Sequence, residues 1–109
     1  MPNTDKPDLR KMRESAGQAT AMLRSLANRD RLLLLCQLSQ EELNVSELEK
    51  QLDIHQPSLS QQLGVLRREG LVATRRAGKH IYYRVAAPRA LSLLQTLYQL
   101  YCAESSNDD

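Results

Sequence analysis

The 109-residue sequence contains no phenylalanine and no tryptophan, and its only aromatic residues are four tyrosines. A core without these large side chains must be built mainly from leucine. No apolar stretch approaches the length of a membrane-spanning helix, and the N-terminal residues contain no apolar segment of the signal-peptide type. These absences predict one small soluble domain in the cytoplasm, with no membrane partner.

The sequence also lacks the patterns that carry catalysis. It contains no Ser-His-acid order, no glycine-rich phosphate loop and no paired carboxylates, so we do not expect an enzyme. Neither His55 nor His80 has a carboxylate or a cysteine at ligand spacing. A turn or phosphate-facing position is therefore predicted for both histidines, rather than catalysis or metal binding.

Only two cysteines are present, Cys36 and Cys102. In a reducing compartment such cysteines are reduced, redox-active or ligating rather than permanently cross-linked. The leucines around Cys36 should raise the pKa of its thiol by burial. From the residues alone, two small buried side chains without redox chemistry are the favoured interpretation.

The net charge is only +2, but the charges are unevenly distributed. Residues 67–89 carry seven basic side chains against one acidic side chain, whereas residues 41–53 carry five acidic side chains against one lysine. A basic edge beside an acidic shoulder suggests a polyanionic partner on the basic side.

Residues 45–70 have the pattern of a helix-turn-helix, with two short apolar-periodic segments on either side of a break at residues 53–55. Ser46 and Glu49 have the spacing of a capping box for the first helix. Pro57 suits the first turn of the second helix, where its missing N–H is not needed.

The second helix of this unit has an apolar side, formed by three leucines, and a side of small uncharged residues. Small polar side chains let a helix approach base edges closely, and Gln and Ser can bond to bases. Basic residues at the end of the helix can hold phosphates. The predicted DNA-binding residues here are Gln56, Ser58, Ser60, Gln61, Gly64, Arg67 and Arg68. An ordinary solvated helix face is the alternative interpretation.

After Gly70 the periodicity changes, and residues 71–76 and 80–85 predict two β-strands around a glycine-containing turn. Basic side chains crowd this hairpin, and Arg75, Arg76 and Lys79 are predicted to contact DNA. A helix-turn-helix followed by a basic hairpin is the winged-helix arrangement. A charged edge that only prevents aggregation is the alternative.

The other segments predict three further helices. Residues 8–26 carry an apolar seam, Asn28 can cap a buried helix after it, and Pro88 opens a last helix with a wide apolar surface. Residues 40–44 are expected to be a polar link. Because one small domain cannot cover this apolar surface, we expect a homodimer through the first and last helices. The folded domain should span residues 8–103, between a disordered arm (1–7) and a disordered acidic tail (104–109).

Three runs together resemble the ArsR/SmtB family of homodimeric winged-helix repressors. They are L-A-N-R-D-R-L-L-L-L-C-Q-L, V-S-E-L-E-K-Q-L-D-I-H-Q-P-S-L-S-Q-Q-L-G-V-L-R-R-E-G-L-V and G-K-H-I-Y-Y-R-V, and the likeness extends over residues 9–103. It implies a mainly α fold of four helices, a small β-hairpin wing and a fifth helix. It also implies dimerisation through the first and fifth helices and release of double-stranded operator DNA when an inducer binds.

The metal sites common in this family are not matched. One uses cysteines at the start of the third helix, where this sequence has Asn44 and Ser46. The other uses Asp and His ligands along the last helix, and residues 91–102 contain neither. Zinc requires about four N, S or O ligands, so neither a metal nor a cofactor is expected.

The setting of Cys36 and Cys102 is instead similar to that in the BigR/SqrR-like persulfide-sensing branch, and also to that in HlyU-type regulators. The first resemblance implies that a reactive sulfur species joins the two cysteines by a disulfide or a longer polysulfide bridge. The bridged dimer then loses affinity for its operator. We expect Cys102 to react first and Cys36 to resolve.

The expected function is therefore a DNA-binding transcriptional repressor with a dithiol switch. Two alternatives keep DNA binding and the same cysteines: a HlyU-like activator or anti-repressor, and a general thiol-oxidation sensor. A third alternative is a protein-binding winged helix whose basic wing meets an acidic partner.

Overall fold

The computed structural model describes residues 6–102. Its elements follow the order α1 (Leu9–Leu26), α2 (Arg29–Leu38), β1 (Leu43–Asn44), α3 (Val45–Gln51), α4 (Ser58–Arg68), β2 (Val72–Ala77), β3 (His80–Val85) and α5 (Pro88–Tyr101). The predicted winged helix is confirmed, with α3 and α4 as the helix-turn-helix and β2 and β3 as the wing. The predicted tail lies outside the described residues, as do residues 1–5 of the predicted arm.

Leucine side chains form the centre of the molecule, as the lack of Phe and Trp requires. The inward-facing side predicted for α4 is confirmed, because its three leucines are almost completely buried. The largest fully buried side chains are Leu34, Leu35, Leu48, Leu59, Leu63 and Leu66. Since these come from α2, α3 and α4, the core holds both helices of the helix-turn-helix against α2.

The predicted helix caps are partly confirmed. The Asn28 Oδ1 atom accepts a hydrogen bond from the Arg31 backbone N–H at 3.0 Å, which confirms the cap of α2. The capping box predicted for Ser46 and Glu49 is wrong. Asn44 and Glu47 form it instead, through two reciprocal bonds of 2.9 Å. Both pairs have the required spacing, but Asn44 is already extended as the last residue of β1.

The strand β1 was not predicted, since two residues are too few to show an alternating pattern. Leu43 and Asn44 pair antiparallel with Tyr83 and Tyr82 of β3, so the sheet has the order β1-β3-β2. The link between α2 and α3 is therefore hydrogen-bonded to the wing.

The wing closes through a two-residue turn, Gly78 and Lys79. Gly78 has a φ of 63°, whereas no other residue type among those described has a positive φ. A positive φ at the first central position alone is typical of a type II′ turn, where glycine is favoured.

The two faces of the sheet differ in what they contact. Val72, Tyr83 and Val85 lie in the hydrophobic core or against it, so their face packs on the helices. Cross-strand pairs place Arg76 and Ile81 on this helix-facing side. Because side chains alternate along a strand, Arg75, Tyr82 and Arg84 lie on the opposite, outer face.

Candidate DNA interface and cysteine pair

The polar side of α4 and the turn before it lie at the protein surface. The exposed residues among those predicted to bind DNA are Gln56, Ser60, Gln61, Arg67 and Arg68, and the half-buried ones are Ser58 and Gly64. A methyl group added at Gly64 would meet only the end of the Arg68 side chain, at 3.5 Å. The fold therefore does not require glycine at position 64. A close approach of the α4 backbone to DNA would require it, because a side chain there would stand between the helix and the bases.

Gln56 has a role at the start of α4 that was not predicted. Its Oε1 atom accepts a hydrogen bond from the Ser60 backbone N–H at 3.0 Å. Pro57 occupies the cap position rather than the first helical turn, and its side chain makes no capping bond. Gln56 supplies the missing acceptor, so its amide oxygen is already used within the protein.

Arg31 is a further residue that the local pattern did not single out. Its guanidinium donates to the Ser25 carbonyl at 2.7 Å, to the Arg24 carbonyl at 3.2 Å and to Gln62 Oε1 at 2.9 Å. It therefore caps the end of α1 and holds the side of α4 at the same time. Gln62 lies 31 residues away along the chain, beyond any helical spacing.

The three residues predicted to contact DNA from the wing are in different environments. Arg76 and Lys79 are exposed, at the end of β2 and in the turn. Arg75 is exposed as well, but its Nε donates to Glu42 Oε1 at 2.6 Å, and its guanidinium lies 5.0 Å from the centre of the Tyr82 ring.

His55 lies in the turn before α4, as predicted, but the expectation that it has no nearby carboxylate is wrong. Its Nε2 atom is 2.9 Å from Asp53 Oδ1 and its Nδ1 atom is 3.6 Å from Glu49 Oε2. The chain reverses after α3 and brings these groups together. Within residues 6–102, no three His, Cys, Asp or Glu side chains are arranged to hold a metal ion.

Cys36 and Cys102 are both exposed thiols, so the interpretation as two buried side chains is wrong. Partial burial of the Cys36 thiol raises its pKa above the ordinary value, and the proximity of Cys102 raises this pKa further. The expectation from the leucine run is confirmed for Cys36. The second cause means that the two thiols interact electrostatically.

A groove of about 600 Å³ lies between α2 and α5, and Cys36 forms part of its wall. Leu91, Gln95 and Tyr98 line the α5 side of this groove. Cys102 follows Tyr98 by four residues, and its N–H donates to the Tyr98 carbonyl at 2.8 Å. The end of α5 thus brings Cys102 to the side that faces α2, and small reagents can reach Cys36 through the groove.

Several apolar side chains on the outer helices are uncovered. They are Leu9, Met12 and Leu23 of α1, and Tyr98, Leu100 and Tyr101 of α5. A second groove, of about 700 Å³, runs between α1 and α5 and is lined partly by Met12, Met22 and Leu93. None of the helices described is long and apolar enough to cross a membrane.

Comparison with known proteins adds family evidence to this geometry. The model of the bacterial regulatory protein, arsR family, matches residues 28–74, from the cap of α2 into β2. The Biofilm growth-associated repressor of Agrobacterium fabrum is 49% identical over 96 residues, which cover 88% of this chain and 82% of that protein. The transcriptional activator HlyU of Vibrio cholerae is 37% identical over 95 residues, covering 87% of this chain and 88% of that protein.

A solved structure shows the same fold. The crystal structure of the transcriptional repressor BigR from Xylella fastidiosa aligns with a TM-score of 0.85 at 43% identity. The alignment covers 89% of this chain and 99% of that one. The helix-turn-helix, the basic wing and these similarities together show that the chain belongs to the ArsR family of bacterial regulatory proteins and is a transcriptional regulator.

Proposed function

We propose that this regulator is a homodimeric repressor that binds operator DNA with both thiols reduced and releases it once sulfur links Cys36 to Cys102. The observation that carries the proposal is that both thiols are exposed and that Cys36 lines a groove whose other wall is α5, the helix that ends at Cys102. The contribution of Cys102 to the raised pKa of Cys36 agrees with this arrangement. The similarity to two proteins described as repressors supports the direction of the switch.

The uncovered apolar side chains of α1 and α5 support dimerisation. Leu100 and Tyr101 keep 64% and 74% of their surface exposed, although they are large apolar side chains in the last turn of α5. A second copy of the chain would cover them and place two α4 helices on one duplex. Dimeric helix-turn-helix proteins read half-sites about 34 Å apart, so the operator should be palindromic.

The inducer proposed is a persulfide, RSSH, and the reaction needs no other oxidant. The Cys102 thiolate attacks the outer sulfur of RSSH, a thiol RSH leaves, and Cys102 becomes a persulfide. The Cys36 thiolate then attacks the Cys102 sulfur that is bonded to carbon, which forms the disulfide and releases hydrosulfide. The transferred sulfur is reduced to sulfide while the two thiols are oxidised.

A longer bridge follows from a second persulfide molecule. It converts Cys36 to a persulfide in the same way and releases another RSH. The terminal sulfur of the Cys102 persulfide then attacks the inner sulfur of the Cys36 persulfide, giving a trisulfide and hydrosulfide. The groove beside Cys36 provides access for the reagent.

The link would act on α4 through the packing of the helices. Leu34 and Leu35 of α2 are buried with the leucines of α4, whereas the end of α5 carries the proposed dimer surface. A covalent tie between α2 and α5 therefore couples the orientation of α4 to the partner subunit. A coupling of about 1–3 kcal/mol, or about 5- to 150-fold in affinity, is typical of such linked sites.

Intact-mass measurement combined with operator binding tests the proposal. The reduced protein is treated separately with glutathione persulfide, hydrogen peroxide and oxidised glutathione. We expect persulfide to produce a Cys36–Cys102 link, including species that retain an added sulfur, and to weaken operator binding. Linking to the same extent by all three reagents would instead identify a general thiol-oxidation sensor.

Single cysteine variants provide the matched controls. Cys36→Ser should accumulate an unresolved persulfide on Cys102 and keep its operator affinity after treatment. Cys102→Ser should lose sensing because the first acceptor is missing. Sensing that survives unchanged in Cys102→Ser would contradict the proposed order of attack.

The similarity to HlyU supports an activator or anti-repressor as the second candidate. A promoter fusion distinguishes the two, since deletion of a repressor raises expression from its operator and deletion of an activator lowers it. A protein-binding winged helix would show no operator shift, whereas phosphate contacts make log affinity fall linearly with log salt.

A further inference from the structure

The outer face of the wing carries an ion-pair cluster whose centre is Glu42, the residue before β1. Arg75 Nε lies 2.6 Å from Glu42 Oε1, and Arg84 Nη1 lies 3.9 Å from Glu42 Oε2. The Arg75 guanidinium also lies over the Tyr82 ring, at 5.0 Å from its centre. We call Glu42, Arg75, Arg84 and Tyr82 the outer-face cluster.

The sheet register explains why these side chains meet. Leu43 pairs with Tyr83, so continuation of the antiparallel register brings Glu42 opposite Arg84. Arg75 pairs with Tyr82 on the same face. The cluster thus joins the link between α2 and α3 to both strands of the wing.

Arg76, the next residue along β2, has the opposite orientation. It pairs with Ile81 on the helix-facing side of the sheet, the side from which α4 packs on the wing. No hydrogen bond or ion pair to the Arg76 side chain is made by the part of the chain that the structure describes. A duplex seated on α4 would therefore meet Arg76 and Lys79 before Arg75.

We propose that the outer-face cluster is a brace that positions the wing, and that Arg75 acts within it rather than on DNA. The phosphate contacts of the wing are made by Arg76 and Lys79. Glu42 supports this division, because its carboxylate partly neutralises Arg75 and Arg84 and would repel a phosphate approaching the outer face. The inference rests on DNA binding through α4, as proposed above.

The salt dependence of DNA binding distinguishes a brace from a phosphate contact. Loss of one phosphate contact reduces the slope of log affinity against log salt by about one, whereas loss of a brace leaves the slope unchanged. Arg75→Gln and Arg76→Gln are a matched pair, since they remove the same charge from adjacent positions of one strand. The probe is a labelled mixed-sequence DNA duplex of about 30 base pairs, long enough for both half-sites of a dimer.

We expect Arg76→Gln to lower the slope by about two, one for each subunit of the dimer, and Arg75→Gln to keep the wild-type slope, with affinity reduced by at most about threefold. An equal fall in slope for both variants would overturn the inference. A wild-type chain that fails to bind the duplex at low salt would overturn the proposed DNA-binding function as well, and the two failures are therefore distinguishable.

A charge exchange gives an independent test. Arg75→Glu alone should weaken DNA binding, because the new carboxylate repels Glu42 and loosens the wing. Adding Glu42→Arg together with Arg84→Gln restores an ion pair of reversed polarity without setting the new arginine against Arg84. Affinity should then return to within about threefold of wild type, a margin typical of exposed ion pairs. Failure of these added changes to restore binding, in a variant with unchanged circular dichroism, would mean that position 75 contacts phosphate.

Discussion

At the scale of single residues, the environment of Cys36 has a direct chemical consequence. Burial raises the pKa of its thiol, and the nearby Cys102 adds to the effect. Because the thiolate is the reacting form, a raised pKa lowers the reactive fraction at neutral pH. Cys36 is therefore suited to attack a persulfide already formed on Cys102 rather than to react first with an oxidant in solution.

The pH dependence of alkylation measures the part of this pKa shift that burial causes, since the variant used has no Cys102. In Cys102→Ser, where Cys36 is the only cysteine, the rate with iodoacetamide should rise about tenfold per pH unit and continue rising beyond about pH 8.5, the ordinary thiol value. A small-molecule thiol in the same buffers serves as the control and should level off earlier. If the rate for Cys36 levelled off at a lower pH than the rate for the control thiol, the raised pKa of Cys36 would be contradicted.

Residue-scale contacts between distant parts of the chain were the least predictable. The partnership of Arg31 with Gln62 and that of Arg75 with Glu42 join residues more than 30 positions apart. Sequence spacing reports only on neighbours along one helix or strand. For this reason Arg75 was grouped with Arg76, although the strand sends their side chains to opposite faces.

At the scale of elements, α4 combines a well-packed inner side with a surface of small residues. Gly64 is the clearest test of this division, since a methyl group there meets nothing but the end of Arg68. We expect Gly64→Ala to stabilise the protein by up to about 1 kcal/mol, because alanine is the better helix former. Operator affinity should fall all the same, since the added methyl group keeps the helix from close contact with the bases.

Thermal unfolding and operator binding measured on the same preparation check both halves of this expectation. Val65→Ala, a change on the adjacent half-buried position, is the control for altered helix packing. Unchanged operator affinity in a stabilised Gly64→Ala protein would place the DNA elsewhere on α4.

The elements themselves were largely predictable from periodicity. The five helices, the hairpin and the buried side of α4 all follow from the spacing of apolar residues. One error occurred where two residue pairs both have the spacing of a capping box, and the pair that includes Asn44 forms it rather than the pair that includes Ser46. Another occurred where an element is too short to show a period, as in β1.

At the scale of the whole molecule, α1 and α5 of the single chain leave large apolar side chains exposed to water. We expect Leu100→Glu to give a monomer in solution and to reduce operator affinity strongly, since each subunit would then hold only one half-site. Light scattering and operator titration measure the two effects. Gln40→Glu is the matched control because it adds the same charge at an exposed residue outside both helices.

A dimer that persists in Leu100→Glu, with wild-type operator affinity, would contradict the proposed interface. The sequence alone did not fix the dimer surface, because an apolar stripe on a helix can pack on a helix of the same chain as well as on one of a second chain. The exposure of Leu100 and Tyr101 in the single chain is what favours a second copy.

The four tyrosines provide this protein with two intrinsic optical reporters. Tyr82 and Tyr83 belong to β3 of the wing, and Tyr98 and Tyr101 belong to α5. No tryptophan masks their ultraviolet emission. Replacing either pair with phenylalanine would leave a protein whose fluorescence reports separately on DNA at the wing or on subunit contact and sulfur chemistry at the last helix, without any attached dye.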